Sequence, residues 1–220
     1  MIHFTADTHF SHKRIPVYTE RRFCLSSQEL EFLDSGAPIK RRNNPGGWLP
    51  SDASIRKHDD YLIDQINAVV KPGDTLWILG DVCFGPWSKL REHAAHFREQ
   101  IECKTVYLIW GNHDRSAIAP VFAKCYPEFN RSIEGIPMHL HHTAQAVWYD
   151  SHRGGWNLYG HSHGTAEEYL DKILPGRRSI DVGVDNAFKV LGEYRPFSLD
   201  ELLGIMNKRP GISIDVGKEI

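Results

Sequence analysis

No run of about 18 apolar residues occurs in the 220-residue chain, so no segment reads as a membrane-spanning helix. No signal peptide is expected either, because the strand-like stretch Ile2-His3-Phe4-Thr5-Ala6 follows Met1 directly. Cysteine is sparse. Cys24, Cys83, Cys103 and Cys125 are scattered with no Cys-x-x-Cys pair, so none looks like a metal ligand from its spacing. Sparse thiols and no leader together give the expectation of reduced cysteines in a cytoplasmic protein. Excess charge of one sign is lacking too. The balance of 26 basic against 28 acidic residues argues against a protein that coats long nucleic acid through a broad basic face.

What is abundant is histidine, with 13 in the chain, a surplus that points toward metal or acid–base chemistry. Otherwise the composition is that of an ordinary globular protein, 41% hydrophobic and 25% charged. The length suits one well-buried core, so a single domain over residues 1–220 is expected.

Chemistry in α/β chains gathers where a rigid buried strand gives way to a loop. Ile2 to Ala6 ends in Asp7-Thr8-His9-Phe10-Ser11-His12, and the apolar strand Leu76 to Leu79 ends in Gly80-Asp81. Val106 to Trp110 ends in Gly111-Asn112-His113-Asp114. Ile136 to His142 alternates with period two, placing Ile136, Met138, Leu140 and His142 on one face and His139 and His141 on the other. With the apolar face toward the core, His142 is the inward histidine at the loop end. Trp156 to Tyr159 closes in Gly160-His161-Ser162-His163-Gly164, whose glycines let both imidazoles approach one centre. One such cluster is an ordinary polar turn, but five are hard to explain that way. The set offers two Asp, one Asn and up to five His without a thiolate, which suits Mn, Fe, Zn, Ni or Co better than Mg or Ca.

Between these strand ends the spacing predicts helices. Ser26-x-x-Glu29 and Ser198-x-x-Glu201 have capping-box form, as does Thr165-x-x-Glu168. From Ile55, Leu62, Ile63, Ile66, Val69 and Val70 make an apolar face, with His58, Asp59, Asp64 and Gln65 mostly opposite, before Pro72-Gly73 ends the helix. Residues 88–101 read as another helix, and a short one runs through Ile118, Val121 and Phe122. Ser179 to Asp185 reads as the last strand. Its Ser-Ile-Asp-Val-Gly recurs at 213–217 without a period, so no repeat architecture follows. Residues 25–53 read mostly as an irregular insertion. There Lys40, Arg41 and Arg42 stand near Trp48, a combination that could meet a phosphate and a flat base, while a solvated surface loop is the plainer account.

The five blocks, in order, resemble the pattern of the calcineurin-like metallophosphoesterase superfamily: D-x-H, G-D, G-N-H-D/E, a lone H, then G-H-x-H. The resemblance spans residues 7–163 and implies an α/β fold, a two-sheet β-sandwich flanked by helices, in a compact branch of small members. It implies two divalent transition metal ions, with Mn favoured for activity. Asp7, His9 and His163 would bind one ion, Asn112, His142 and His161 the other, and Asp81 with a water or hydroxide would bridge them. His113 would act on the substrate phosphate as a general acid or transition-state donor, and Asp114 would orient its loop. The lone-histidine block departs from the usual continuation, reading His141-His142-Thr143, so His142 is chosen by strand phase and motif position. His12 and Arg14, close after the first block, join Lys40, Arg41 and Arg42 as candidate substrate contacts. The implied activity is phosphoester hydrolysis by the bridging hydroxide, on a small, nucleotide-like or otherwise polyanionic ester. The alternatives are a phosphomonoesterase of a non-nucleotide substrate and a non-catalytic metal-stabilised scaffold.

Overall fold

The computed structural model describes residues 1–212, so the second Ser-Ile-Asp-Val-Gly segment at 213–217 lies outside the described residues. In chain order the strands are β1 (Ile2–Thr5), β2 (Thr75–Ile78), β3 (Thr105–Ile109), β4 (Lys124–Tyr126), β5 (Phe129–Ile133), β6 (Ile136–Leu140), β7 (Trp156–Tyr159), β8 (Ser179–Asp181) and β9 (Phe197–Ser198). The helices are α1 (Ile15–Tyr18), α2 (Ser27–Asp34), α3 (Asp52–Val69), α4 (Leu90–Gln100), α5 (Glu167–Ile173), α6 (Val184–Leu191) and α7 (Leu199–Met206). One sheet has the order β4-β3-β2-β1-β9 and the other β5-β6-β7-β8. Within the first, β1 through β4 are parallel and β9 runs antiparallel to β1. Within the second, β6, β7 and β8 are parallel and β5 is antiparallel.

Side-chain alternation explains why the first sheet sits in the middle of the molecule. In β2, Leu76 and Ile78 join the core that includes Leu62, Ile63 and Ile66 of α3 and Phe97 of α4. Trp77 and its neighbour Leu79 belong instead to a second core with Met138 and Leu140 of β6 and Leu158 of β7. A strand buried on both faces reads as a continuous apolar run, which Leu76 to Leu79 is. Two cores separated by one sheet give the expected two-sheet, helix-flanked α/β architecture. Among the described residues no helix is long and apolar enough to cross a membrane.

Several local expectations change. His58 and Asp59 are buried, not on a solvated face, because α3 also packs its N-terminal half against the 22–24 turn. Residues 25–53 contain α2 and two isolated bridges, Ile39 with Trp48 and Arg41 with Asn44, so the segment is more ordered than an irregular loop. The Trp48 indole donates to the Ala37 carbonyl and packs on Phe32, which occupies it within its own loop. Thr165 does not cap α5. Its hydroxyl donates to the Ser162 carbonyl, and the helix starts after Ala166. The strand expected to reach Asp185 stops at Asp181, and Val184 already begins α6.

Candidate metal centre

Because β1, β2 and β3 are parallel, the segments that follow them leave from one edge of the first sheet, as do those after β6, β7 and β8 in the second. The two edges are tied where Ala6 bridges Gly183 and the Val184 amide donates to the Ala6 carbonyl at 3.1 Å. Tight turns are then needed to bring side chains back over this seam. Asp7, His9, Asp81, His161 and His163 all have left-handed backbones, with φ of 57°, 50°, 55°, 70° and 50°. Such conformations are uncommon for residues other than glycine and gather at functional sites. Gly160 is required for close approach, since a Cβ there would stand 2.5 Å from the Ala6 methyl and 2.7 Å from Asp7 Oδ2.

Two groups of ligand-type atoms result. Asp7, His9 and His163 offer atoms within 4.8 Å of one another, and so do Asp81, His142 and His161. Asp81 faces both groups, with Oδ2 3.8 Å from His9 Nε2 and 3.5 Å from His142 Nε2. Asn112 Oδ1 lies 2.9 Å from His142 Nε2 and 3.0 Å from His161 Nδ1, inside the second group. His142 gives its Nδ1 proton to the Leu79 carbonyl at 2.7 Å, which leaves Nε2 turned inward. His113 stands beside the pair, half-exposed, with Nε2 4.0 Å from Asp81 Oδ2.

The donor set fits a cation. Asp7 Oδ1 and both ring nitrogens of His9 are buried without a hydrogen-bond partner among the described residues. Burial, then the charge of Asp181, pushes the Asp7 carboxyl up to about 8, an arrangement that a cation against Oδ1 would reverse. Burial and then Arg21 hold His9 well below the usual imidazole range, so its ring is neutral and able to ligate. For Asp81 and His142, burial opposes both charges, but their contact outweighs it, keeping the carboxyl low and the imidazole high.

Residues 1–210 match the family described as calcineurin-like phosphoesterases. The chain belongs to this family. It is 26% identical over 211 residues to the uncharacterized protein MJ1445 of Methanocaldococcus jannaschii, covering 94% of this chain and 92% of that protein. The crystal structure of AQ665, a protein of unknown function from Aquifex aeolicus, matches it with a TM-score of 0.58 at 17% identity, over 93% of this chain and 98% of that one. The second likeness concerns the fold alone.

Behind the donor atoms of this phosphoesterase-family site stand residues that the motif reading passed over. Asp185 Oδ2 lies 2.6 Å from His163 Nδ1. Asp181 accepts from the Ser162 hydroxyl and the Gly164 and Gly183 amides, holding the loop that carries His161 and His163. Asp114 accepts from the Asp81, Val82 and Gly111 amides, the loop-orienting part expected of it. Arg21 is fully buried and bonded to Asp185. Asp185 had a signal, since it lies just past a strand end like the other five clusters. Arg21 had none, being one of two adjacent arginines, and its neighbour Arg22 pairs with Asp34 on the surface.

A cleft of about 1000 Å³ opens over the site. His9, Asp81, His113, His161 and His163 form part of its wall, with His12 and Phe84 beside them. Ile15, Tyr18, Phe188 and Tyr194 also line it. Of the candidate substrate contacts, only His12 is in the wall. Arg14 donates to the Lys40 carbonyl, and Arg41 lies over the Tyr18 ring, 5.4 Å from its centroid. Lys40, Arg41 and Arg42 are not among the lining residues.

Proposed function

We propose that the protein is a phosphoester hydrolase that works with two divalent transition metal ions, Mn being the favoured choice. Asp7, His9 and His163 would hold one ion, Asn112, His142 and His161 the other, with Asp81 shared. The observation that carries this reading is the position of Asp81 Oδ2, within 4 Å of a histidine from each group and of His113. Ions bound there would polarise a phosphoryl oxygen and lower the pKa of an attacking water. Only Asp7 and Asp81 contribute carboxylates, so two dications would keep excess positive charge for an anionic phosphate. His113 is half-exposed in the cleft wall and would donate a proton to the departing oxygen or a hydrogen bond to the phosphoryl group.

The cleft supports a small ester whose organic part is apolar or aromatic, such as an aryl phosphodiester or a nucleoside monophosphate ester. Tyr18 and Phe188 are exposed rings in its wall. Arg22 is paired with Asp34, which leaves the single positive charge of the Lys189 ammonium, bonded to the neutral His163 carbonyl, in this part of the wall. That favours one phosphate over a polyanion. The four unpaired cysteines support a reducing, cytoplasmic setting.

Chelator-treated protein is assayed with bis-p-nitrophenyl phosphate and p-nitrophenyl phosphate, with and without Mn. Hydrolysis restored by Mn is expected. Tight metal binding with no hydrolysis of either compound, or of any ester in a panel of mono- and diesters read by the alcohol or phosphate released, would replace this reading by the metal-stabilised scaffold.

A further inference from the structure

Arg21 uses every hydrogen-bond donor it has, and it uses them around one of the two groups of ligand atoms. Nε and Nη2 donate to Asp185 Oδ1 and Oδ2 at 2.8 and 2.7 Å, a bidentate pair. Nη2 also donates to the Asp7 carbonyl at 2.7 Å, and Nη1 to the Thr8 carbonyl at 3.0 Å. The remaining Nη1 proton goes to His58 Nε2 at 2.8 Å, which fixes the His58 proton on Nδ1, 2.8 Å from Asp59 Oδ1. Asp59 in turn accepts from the Ser11 amide at 3.1 Å. A guanidinium has five N–H groups, and all five are now assigned. None is left for Asp81, Asn112, His142 or His161.

The contacts converge on the Asp7/His9/His163 group. Asp185, held by Arg21, fixes the His163 ring through Nδ1, and the carbonyl contacts fix the Asp7–Thr8 turn. The chain through His58 and Asp59 holds the same turn at Ser11, beyond His9. The other group has supports of its own, Asp114 on the Asp81 and Gly111 amides and the Leu79 carbonyl on His142, and it meets the first where the His161 amide donates to Asp7 Oδ2 at 2.8 Å and the His9 amide to the Asp81 carbonyl at 3.0 Å. We infer that Arg21, acting through Asp185, is the positioning residue for the Asp7/His9/His163 metal position alone, so the two positions can be weakened separately. This inference rests on the proposal that both groups hold metal. Removing a carboxylate or other partner that orients a ligating histidine typically lowers metal affinity about 10–100-fold.

The test is a double-mutant cycle read by equilibrium Mn binding to the full chain, not by turnover. Wild type is expected to bind two equivalents. With the second group disabled by His161→Ala, Arg21→Gln should weaken the remaining site about 10–100-fold. With the first group disabled by His163→Ala, the same change should alter Mn affinity less than about threefold. Asp185→Asn, which leaves the arginine in place, should repeat the pattern if Arg21→Gln folds poorly. Equal weakening in both backgrounds, or in neither, overturns the inference while leaving the two-metal reading intact. Wild type that binds no metal overturns both.

Discussion

At the scale of single residues, the proposed two-metal centre depends on the amide of Asn112 as well as on its carboxylates. Asn112 Oδ1 sits between His142 and His161 as a neutral donor, so it adds no negative charge to the centre. Asn112→Asp is expected to retain metal at least as tightly, while kcat falls about tenfold or more because less positive charge faces the phosphate. Metal content and steady-state kinetics on the same sample check both halves. The residues that the structure brings together here were legible because each lies in a short motif at the end of an apolar run. Their supports were legible only in part. Asp114 could be read as an orienting group, whereas Arg21 touches Asp185, 164 positions away, and no local spacing carries that information.

At the scale of elements, capping signals were reliable where the side chain had nothing better to bind. Ser26 and Ser198 form complete capping boxes at α2 and α7, while Thr165 turns to the Ser162 carbonyl and leaves α5 uncapped. The α6 helix was hidden because Val182, Gly183 and Val184 continue an apolar strand pattern, and period alone does not separate the two. Glu29 shows how a cap becomes a pH-dependent element. Burial raises its carboxyl, but hydrogen bonds from the Ser54 hydroxyl and the Ser26 and Ser51 amides outweigh this and bring it down to about 2. A depressed carboxyl stabilises the fold fully above its unfolded value near 4.5, and that contribution fades as pH falls toward 2. Glu29→Gln is therefore expected to lower stability by about 1–2 kcal/mol at pH 7, with a smaller difference at pH 3.5. Urea unfolding of both proteins at the two pH values measures this.

At the scale of the whole molecule, the site lies on the seam between two sheets, with three donor loops from the edge of one sheet and two from the adjoining edge of the other. The family resemblance of the motif blocks, which the order of strands and helices fits, made the two-sheet core legible, but not β4 and β9, which are three and two residues long, nor β5, whose polar Asn130-Arg131-Ser132 stretch carries no apolar alternation. A ligand that bridges the seam should stabilise the entire fold. Saturating Mn at about 1,000 times its dissociation constant is expected to add about 4 kcal/mol. For a domain of this size that corresponds to a rise in Tm of roughly 8–16 °C, reversed by a chelator and visible by calorimetry.

The central claim is that the shared centre performs phosphoester hydrolysis with His113 acting on the substrate and not on the metal. The most direct measurement compares wild type and His113→Ala for metal content and for turnover of bis-p-nitrophenyl phosphate in the same preparations. The account predicts two equivalents of metal in both proteins, with turnover in the variant reduced at least about 100-fold. Full turnover in the variant, or loss of metal in step with activity, would contradict it.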